Sequence, residues 1–457
     1  ASAAPAPGPR DAPAARGPSC AGARVEASPG ATVTPRRPEK RCRVAQDAGH
    51  ADIFLTSYGT FRSDVDKLME RQRFSCMVLD EAQQIKNYST QISKAVKRMA
   101  EVVGSARIAL SGTPVENRLA DLHSQFEFIL PGYLAGSRAE FERDFSRPIA
   151  GAETHKSKET QRLLQRMIQP FVLRRFKTDP HIAVDLPAKI EQNYDAEVSA
   201  CQERLYKAVQ EVEFLNVAQP ALELDHQQRF ARRGRVFAML HALREVCNHP
   251  AMLKATRWPA AVPNGERPAR TDVQASGKCQ VLKDILSGIF ANGEKAIIFS
   301  SYIGTIDMLM EQISDNFNCT PVKFIGDMDR LDREQAVHRF QTDPAVQVML
   351  LSLQAGGVGI TLTAATHVIH FDRCYNPAKE AQATDRAHRI GQTKTVFVHR
   401  LITKGTFEEK LAEIMAKRQL LSDITVTAGE EWIADLDDRE LRDLFSLSGE
   451  SASAGAA

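Results

Sequence analysis

The 457-residue chain is nearly balanced in charge, with 59 lysines and arginines against 57 aspartates and glutamates. This balance excludes a uniformly basic surface, so any affinity for nucleic acid must come from a local basic lining. The eight cysteines occur without a Cys-x-x-Cys pair, which excludes the usual zinc and disulfide frameworks and is typical of a reducing, intracellular compartment such as a bacterial cytoplasm. We expect no secretory signal, because the first residues lack its apolar middle region, and no apolar run approaches the roughly 18 residues that span a bilayer.

The first part of the chain divides into a tail and a partial α/β lobe. Residues 1–48 are rich in Ala, Pro and Arg without apolar periodicity, and we expect them to be disordered. Residues 49–135 are predicted to hold a strand at 52–58, a helix at 61–71 and two buried strands at 74–79 and 106–111.

Two acids, Asp80 and Glu81, follow the predicted strand 74–79 directly. In open α/β sheets, ligands bind at the carboxyl ends of the strands. Paired carboxylates there suit one metal-holding and one water-orienting role in phosphoryl transfer. The alternative is an ordinary loop or a helix N-cap.

The middle of the chain, 136–275, is predicted to be mainly helical and charged. Residues 195–217 and 227–248 show helical periodicity with charges on the opposite face, and 258–271 have the Pro and Gly content of a loop.

A second lobe is predicted at 276–424. Apolar runs at 295–300, 321–325, 346–352, 367–372 and 395–402 alternate with helical segments, and a helix follows at 406–423. This alternation predicts a parallel sheet with right-handed crossovers. Residues 425–457 form a C-terminal extension, whose small polar end, 448–457, we expect to be frayed.

Residues 382–392 are predicted to form a helix that ends at a glycine. Gln382, Arg386 and Arg389 then share one face at i, i+4 and i+7. Arginine suits phosphate oxygens because its planar fork donates two parallel hydrogen bonds and stays charged. The alternative is a solvated helix face.

Further candidate phosphate contacts lie in loops. The glycines at 356–359 follow a strand and include Gly357 and Gly359, which would let backbone amides approach a phosphate or simply make a tight turn. Thr361 offers a hydroxyl to a sugar–phosphate backbone. Lys86 and Asn87, just after the acids, suit the same surface or a solvated loop.

These motifs together resemble the Swi/Snf-type branch of the superfamily-two helicase-like ATPases over about residues 52–424. The matching segments occur in the family's order and are 80–83, 110–117, 170–175, 245–250, 297–302, 352–362 and 382–392. The resemblance implies an α/β fold of two RecA-like parallel-sheet lobes, the first incomplete, with helical protrusions and the inter-lobe linker between them.

The resemblance also implies roles for the candidate residues. ATP would lie between the lobes, Asp80 would hold Mg²⁺ through water, and Glu81 would orient or deprotonate the attacking water. Arg386 and Arg389 would reach the γ-phosphate, with Gln382 beside them. Ser111, Thr113 and Glu116 would couple the nucleotide to the DNA-facing loop, although Ser-Gly-Thr-Pro also suits a capped turn. Ser300, in segment 297–302, is assigned to nucleic-acid contact with Lys86, Asn87 and Thr361.

One expected element is absent from the printed sequence. A P-loop needs Gly-x-x-x-x-Gly-Lys-Ser/Thr, and no such string occurs. Gly277-Lys278 is followed by Cys279 and lacks the upstream glycine, so it is not a P-loop. We therefore expect weak or absent binding of ATP and Mg²⁺ by this chain alone, as for a truncated portion of a longer enzyme.

Two functional hypotheses follow. The first is a portion of an ATP-dependent translocase on double-stranded DNA that remodels protein–DNA complexes, with RNA polymerase or another nucleoprotein as partner and no membrane partner. The second is a catalytically inactive nucleic-acid-binding remnant, favoured by the missing P-loop. An unrelated nucleotide-binding α/β enzyme, such as a transferase, does not explain the ordered motifs.

Overall fold

The computed structural model describes residues 53–71, 74–112, 119–150, 155–173, 175, 177, 186–217, 226–263, 267–317, 319–355, 359–374, 376–421, 433 and 438–447. The predicted tail 1–48 and the chain end 448–457 lie outside the described residues. The chain divides into two compact units, 1–73 and 74–457. In the first unit the described residues form α1 (Tyr58–Arg71), which buries Phe61, Val65 and Leu68 at i, i+4 and i+7.

The second unit alternates helices and strands. Its strands are β1 (Cys76–Leu79), β2 (Ala106–Ala109), β3 (Lys189–Ala196), β4 (Ala296–Ser300), β5 (Val322–Phe324), β6 (Val348–Ser352), β7 (His367–His370) and β8 (Val396–Thr403). Its helices are α2 (Gln91–Val102), α3 (Leu119–Ile129), α4 (Arg138–Phe141), α5 (Arg147–Ala150), α6 (His155–Ile168), α7 (Ala200–Val217), α8 (His226–Asn248), α9 (Gly277–Ala291), α10 (Ile303–Phe317), α11 (Arg330–Thr342), α12 (Pro377–Thr384), α13 (Phe407–Leu421) and α14 (Asp438–Phe445).

The larger sheet has six strands in the order β3-β8-β7-β4-β6-β5, and every pairing is parallel. Every residue of β4, β6 and β7 is buried. Continuous apolar runs of this kind form strands that are covered on both faces. The predicted α/β fold with parallel sheets is confirmed, and the five predicted strands of the second lobe all occur.

The smaller sheet pairs β1 with β2, again in parallel. Val78 and Ile108 are register partners, and their side chains are 53% and 44% exposed. The prediction that both strands are buried is therefore wrong for the face that these two residues share.

Two further predictions of secondary structure are wrong. Residues 53–57 have no regular structure, and Tyr58 begins α1, so no strand forms in the described part of 52–58. The helix predicted at 195–217 begins only at Ala200, because β3 occupies 189–196. This strand lies at a sheet edge and its side chains are mostly exposed, so charged residues replace the apolar alternation that would identify it.

The helices contribute two further cores. Residues of α7, α8, α13 and α14 share one, and residues of α3, α4 and α6 share another. Tyr206 on α7 donates a hydrogen bond of 2.9 Å to the Phe445 carbonyl, which ties α14 to α7. None of the described helices combines the length and apolar character needed to cross a bilayer.

Candidate functional site

The predicted acidic pair lies in a strained turn after β1. Glu81 has φ 51° and ψ 52°, and it is the only non-glycine residue with positive φ in the part of the chain that the structure describes. Its amide donates to Asp80 Oδ1 at 3.0 Å. A left-handed conformation costs about 1–2 kcal/mol for a residue with a Cβ. Such strain persists only where surrounding contacts hold the residue, and it is concentrated at functional sites.

Side-chain amides hold both carboxylate oxygens of Glu81. Gln83 Nε2 donates to Oε2 at 2.5 Å, and Gln382 Nε2 donates to Oε1 at 3.1 Å. Ser111, after β2, donates its hydroxyl to Gln83 Oε1 at 2.8 Å. The structure therefore joins three predicted site residues, Ser111, Glu81 and Gln382, in one hydrogen-bonded chain that runs through Gln83.

A pocket of about 380 Å³ opens beside this chain of bonds. Its lining consists of Asp80, Glu81, Ala109, Leu110, Ser111, Gly112 and Leu173. Leu173 belongs to the predicted segment 170–175 and is 77% exposed. The pocket thus has carboxylates and a hydroxyl on one side and an apolar side chain from a distant segment on another.

Arg386 and Arg389 lie in a turn that follows α12, not in a helix. The hydrogen bond of Asp385 N still reaches back four residues, to the Ala381 carbonyl, but that of Arg386 N reaches back only three, to Ala383. The Arg386 carbonyl then accepts from Leu362 N at 2.9 Å. The prediction of one helix over 382–392 is wrong: the helix ends at Thr384, where the backbone bonds shorten from four residues to three, and the Arg386 carbonyl beyond it has a tertiary partner.

Arg386 nevertheless places positive charge near Glu81, and Arg389 lies close to Arg386. Arg386 is only 7% exposed, and burial lowers the pKa of its guanidinium; nearby Arg389 lowers it further, whereas Glu81 raises it. Arginine starts from so high a pKa that it remains charged at any working pH. Arg389 is exposed. A buried guanidinium, Arg386, therefore lies within electrostatic reach of Glu81, with the exposed guanidinium of Arg389 near it.

The arginine turn, defined as residues 385–392, is fixed by its surroundings. Gln392 Nε2 donates to the carbonyls of Thr363 at 3.0 Å and Ala365 at 2.9 Å. Lys177 pairs with Asp385 at 2.8 Å and donates to the His388 carbonyl at 3.0 Å. Sequence reasoning missed Lys177, although the basic run that ends segment 170–175 lies just before it.

The residues that were predicted to contact nucleic acid differ in exposure and in hydrogen bonding. Gly359 and Thr361 are exposed, and Lys86 is half-buried. Asn87 is exposed, but its side-chain oxygen accepts from Ser89 N at 3.0 Å and Ser89 Oγ at 2.7 Å. This bonding is that of an Asx-turn and engages only the side-chain oxygen, whereas a phosphate would accept from the side-chain NH2 group.

Ser300 was assigned to nucleic-acid contact, but its side chain does not reach the surface. It is fully buried, and its hydroxyl donates to Asp372 Oδ2, while Ser301 N donates to Asp372 Oδ1 at 2.9 Å. This geometry gives the Ser300 side chain no surface on which to meet a nucleic acid. Gly357, Thr113 and Glu116 lie outside the described residues.

The donor set suits a lightly held magnesium ion. No group of three or more His, Cys, Asp or Glu side chains that could hold a metal occurs among the described residues. Asp80 is exposed and lines the pocket. Mg²⁺ keeps several waters and commonly binds through one or two carboxylates plus substrate phosphates, so Asp80 alone is a fitting protein ligand.

Lys278 does not offer its charge to a phosphate. Its ammonium is fully buried and pairs with Glu408 Oε1 at 2.7 Å, and it also donates to Asn248 Oδ1 at 3.3 Å. Gly277 is required by close packing, since a Cβ there would lie 1.9 Å from the Glu197 carbonyl oxygen. Both residues of this Gly-Lys pair therefore have structural roles at the start of α9.

Two family models match the chain. Residues 30–252 match the SNF2-related domain, and residues 277–391 match the helicase conserved C-terminal domain. The acidic turn lies within the first match, whereas most of the arginine turn lies within the second.

One similar protein is YwqA of Bacillus subtilis, which is named as an ATP-dependent helicase/translocase. It is 38% identical over 422 residues, which cover 91% of this chain and 42% of YwqA. The TATA-binding protein-associated factor MOT1 of Saccharomyces cerevisiae is 31% identical over 446 residues, 89% of this chain and 23% of its own length. The chain thus spans less than half of either relative. Among solved structures, the Sulfolobus solfataricus SWI2/SNF2 ATPase core in complex with dsDNA is 35% identical with a TM-score of 0.48, covering 87% of this chain and 78% of that one.

Proposed function

Because the chain belongs to the SNF2-related family of helicase-like proteins, we propose that it forms part of an ATP-dependent translocase on double-stranded DNA. ATP hydrolysis would drive it along the duplex and displace bound protein. The observation that carries this proposal is the 3.1 Å bond from Gln382 to Glu81, because it joins the acidic turn to the segment that bears both arginines. We propose only that the displaced protein is one bound to the duplex; RNA polymerase is one example.

In the proposed reaction, the acidic turn acts on water and the arginine turn acts on phosphate. Glu81 orients a water molecule and accepts its proton as the water oxygen bonds to the γ-phosphorus and the bond to ADP breaks. Each Glu81 oxygen already accepts one amide hydrogen bond, and the second lone pair of either oxygen can accept the bond from the water. Asp80 would hold Mg²⁺ through water, and the ion would neutralise phosphate charge. Arg386 and Arg389 stabilise the charge that develops on the γ-phosphate.

DNA binding is proposed to depend on phosphate contacts from Lys86, Asn87, Thr361 and the backbone near Gly359. Contacts of this kind carry little sequence information, which suits a protein that moves along any sequence. Because each phosphate contact releases counterions, affinity should fall steeply as salt increases.

A second candidate for this chain by itself is a nucleic-acid-binding module without turnover. The observation that favours it is the absence of a P-loop string from the 457 residues. Without the lysine and backbone amides of a P-loop, the β- and γ-phosphates lose much of their usual binding site. This candidate predicts weak, salt-dependent DNA binding with negligible ATP hydrolysis.

ATPase turnover with and without duplex DNA separates the two candidates. It should be measured on this chain and on a chimera that adds a P-loop-bearing segment. We expect DNA-stimulated turnover in the chimera and negligible turnover in the chain alone. Turnover on the order of 1 s⁻¹ by the chain alone would reject the second candidate, and an inactive but folded chimera would count against the first.

Two substitutions in the active chimera test the assigned roles. Glu81→Gln should abolish turnover and leave ATP binding nearly intact, because only water activation is lost. Arg389→Ala should lower kcat by about a thousandfold with a much smaller change in affinity, because an arginine finger acts mainly in the transition state. Arg330→Ala removes an exposed arginine of α11 and serves as the matched control. Near-normal turnover in both site variants would refute the role assignment.

A further inference from the structure

A buried carboxylate fixes the start of α12. Glu380 is 3% exposed, and its Oε1 accepts hydrogen bonds from Arg373 Nε at 2.8 Å and Cys374 N at 2.9 Å. Arg400 Nε on β8 forms an ion pair with Oε2 at 3.5 Å. Arg400 in turn donates to Glu191 on β3 at 2.7 Å. Glu380 thus ties α12 directly to β8 and, through Arg400, to β3.

Glu380 is charged in this environment. Burial by itself favours the neutral acid. The pKa of Glu380 is nevertheless held below its ordinary value by the charges of Arg373 and Arg400 and by the hydrogen bond that Arg373 donates. A buried charge is costly unless it is paired and hydrogen-bonded, and removing its charge leaves the arginines without a counterion. The pairing therefore specifies one placement of the helix against the sheet.

A second bond fixes the other end of α12. Thr384 is the last residue of the helix. Its hydroxyl oxygen lies 3.0 Å from His370 Nε2 on β7. Both side chains are buried, and His370 stacks on Phe299 with ring centroids 5.6 Å apart. Burial lowers the pKa of His370 to about 4, so the imidazole is neutral near pH 7.

These two contacts set the point from which the arginine turn leaves. Glu380 and Thr384 are one helical turn apart and therefore lie on the same face of α12, which faces the sheet. Arg386 follows only two residues later. We propose that Glu380 and Thr384 are positioning residues, which hold α12 so that Arg386 and Arg389 project toward Glu81. The functional meaning of this inference rests on the proposed role of the two arginines.

Hydrogen exchange of the full chain, followed by mass spectrometry, tests the placement without any need for ATP. In Glu380→Gln, amides of the arginine turn should exchange at least tenfold faster, whereas amides of β4 and β6 should keep their protection. Glu334→Gln is the matched control, because it removes a carboxylate from an exposed arginine pair on α11. It should leave the arginine turn unchanged.

Thr384 gives an independent arm if Glu380→Gln does not fold. Thr384→Val preserves volume and removes the hydroxyl, so exchange in the arginine turn should accelerate, and Thr384→Ser should restore wild-type exchange. Unchanged exchange in both Glu380→Gln and Thr384→Val would overturn the proposal. Equal acceleration throughout the larger sheet would also overturn it, because the residues would then support stability in general.

A kinetic arm uses the P-loop chimera. Glu380→Gln should lower kcat by at least tenfold and leave the KM for ATP nearly unchanged, because misplaced arginines act on the transition state. A rise in KM alone would overturn the assignment. If the parent chimera is inactive, the proposed function fails, but the exchange experiment still decides whether these residues position the turn.

Discussion

The two halves of the candidate site lie on very different sheets. The arginine turn follows a helix that packs on a six-stranded sheet whose central strands are completely buried. The acidic turn follows a two-stranded sheet in which Val78 and Ile108 share an exposed apolar face. Parallel strands usually require cover on both faces, so the two sheets differ in how much of their stability comes from burial.

This difference indicates a division of labour. Burial of apolar side chains in the larger sheet should dominate the measured stability, and breaking a buried charge pair beside it should be costly. The acidic turn keeps its shape through a few local hydrogen bonds. Substitutions of buried groups in and around the larger sheet should therefore have large effects on unfolding, whereas substitutions of exposed groups, including those of the smaller sheet, should have small ones.

The largest effect should come from the buried Lys278–Glu408 pair. Lys278→Met leaves Glu408 as an unpaired buried charge, which costs about 3–5 kcal/mol of unfolding free energy. The matched control is Lys323→Met, because the Lys323–Asp307 pair, at 2.9 Å, has both side chains about 40% exposed. That change should cost less than about 1 kcal/mol. Urea denaturation measures both, and equal costs would contradict the contrast.

A slightly smaller effect should follow from truncating a core strand. Leu350→Ala on β6 removes a fully buried side chain and should cost about 2–5 kcal/mol. Ile108→Ala on β2 removes a side chain that is 44% exposed and should cost about 1 kcal/mol or less. Similar shifts of the urea midpoint for the two variants would show that the exposed face is covered in solution.

Acid should weaken the larger sheet through His370. Its folded-state pKa of about 4 lies below the ordinary 6.5, so the unfolded chain binds the proton more readily. This contribution to stability is complete above about pH 6.5 and is lost as the pH falls toward 4, with a total of about 3 kcal/mol. Urea denaturation between pH 7 and pH 4 should give a shallower pH dependence for His370→Asn than for wild type. Parallel curves would show that His370 does not carry the effect.

The smallest effect concerns the N-cap of α2, close to the acidic turn. The Thr90 side chain accepts a hydrogen bond from Ser93 N at 3.2 Å. Thr90→Ala should cost about 0.5–2 kcal/mol, and Thr90→Ser should recover most of that cost. Thermal denaturation measures the difference. Identical melting temperatures for the alanine and serine variants would exclude a capping role.

The sequence predicted best what burial dictates. The runs that became β4, β6 and β7 are short, apolar and bounded, so their strand character was evident. β3 was missed because an edge strand can carry charged side chains. The strand with which it pairs, β8, lies far along the chain, and so does Arg400, which bonds to Glu191 of β3. The end of α12 at Thr384 was also missed, because residues 385–390 contain neither Gly nor Pro and the tertiary bond of the Arg386 carbonyl leaves no local signal.

The candidate site was predictable to a similar degree. Motif order pointed to Glu81, Gln382 and Arg386, and the structure brings these residues together. It could not show that Ser300 would be buried against Asp372, because a serine at the end of a strand is equally compatible with an exposed or a buried hydroxyl. The chemical roles of all these residues stay predictions until turnover is measured.

The backbone of Glu81 limits how this position can evolve. Glycine adopts positive φ without strain, and the left-handed region costs a glutamate about 1–2 kcal/mol. A library screened only for heat resistance should therefore enrich Glu81→Gly and discard the carboxylate. Persistence of glutamate through such a screen would indicate that the hydrogen bonds from Gln83 and Gln382 offset the strain. Under the proposed role of Glu81, selection for activity and selection for heat resistance would then favour different residues at position 81.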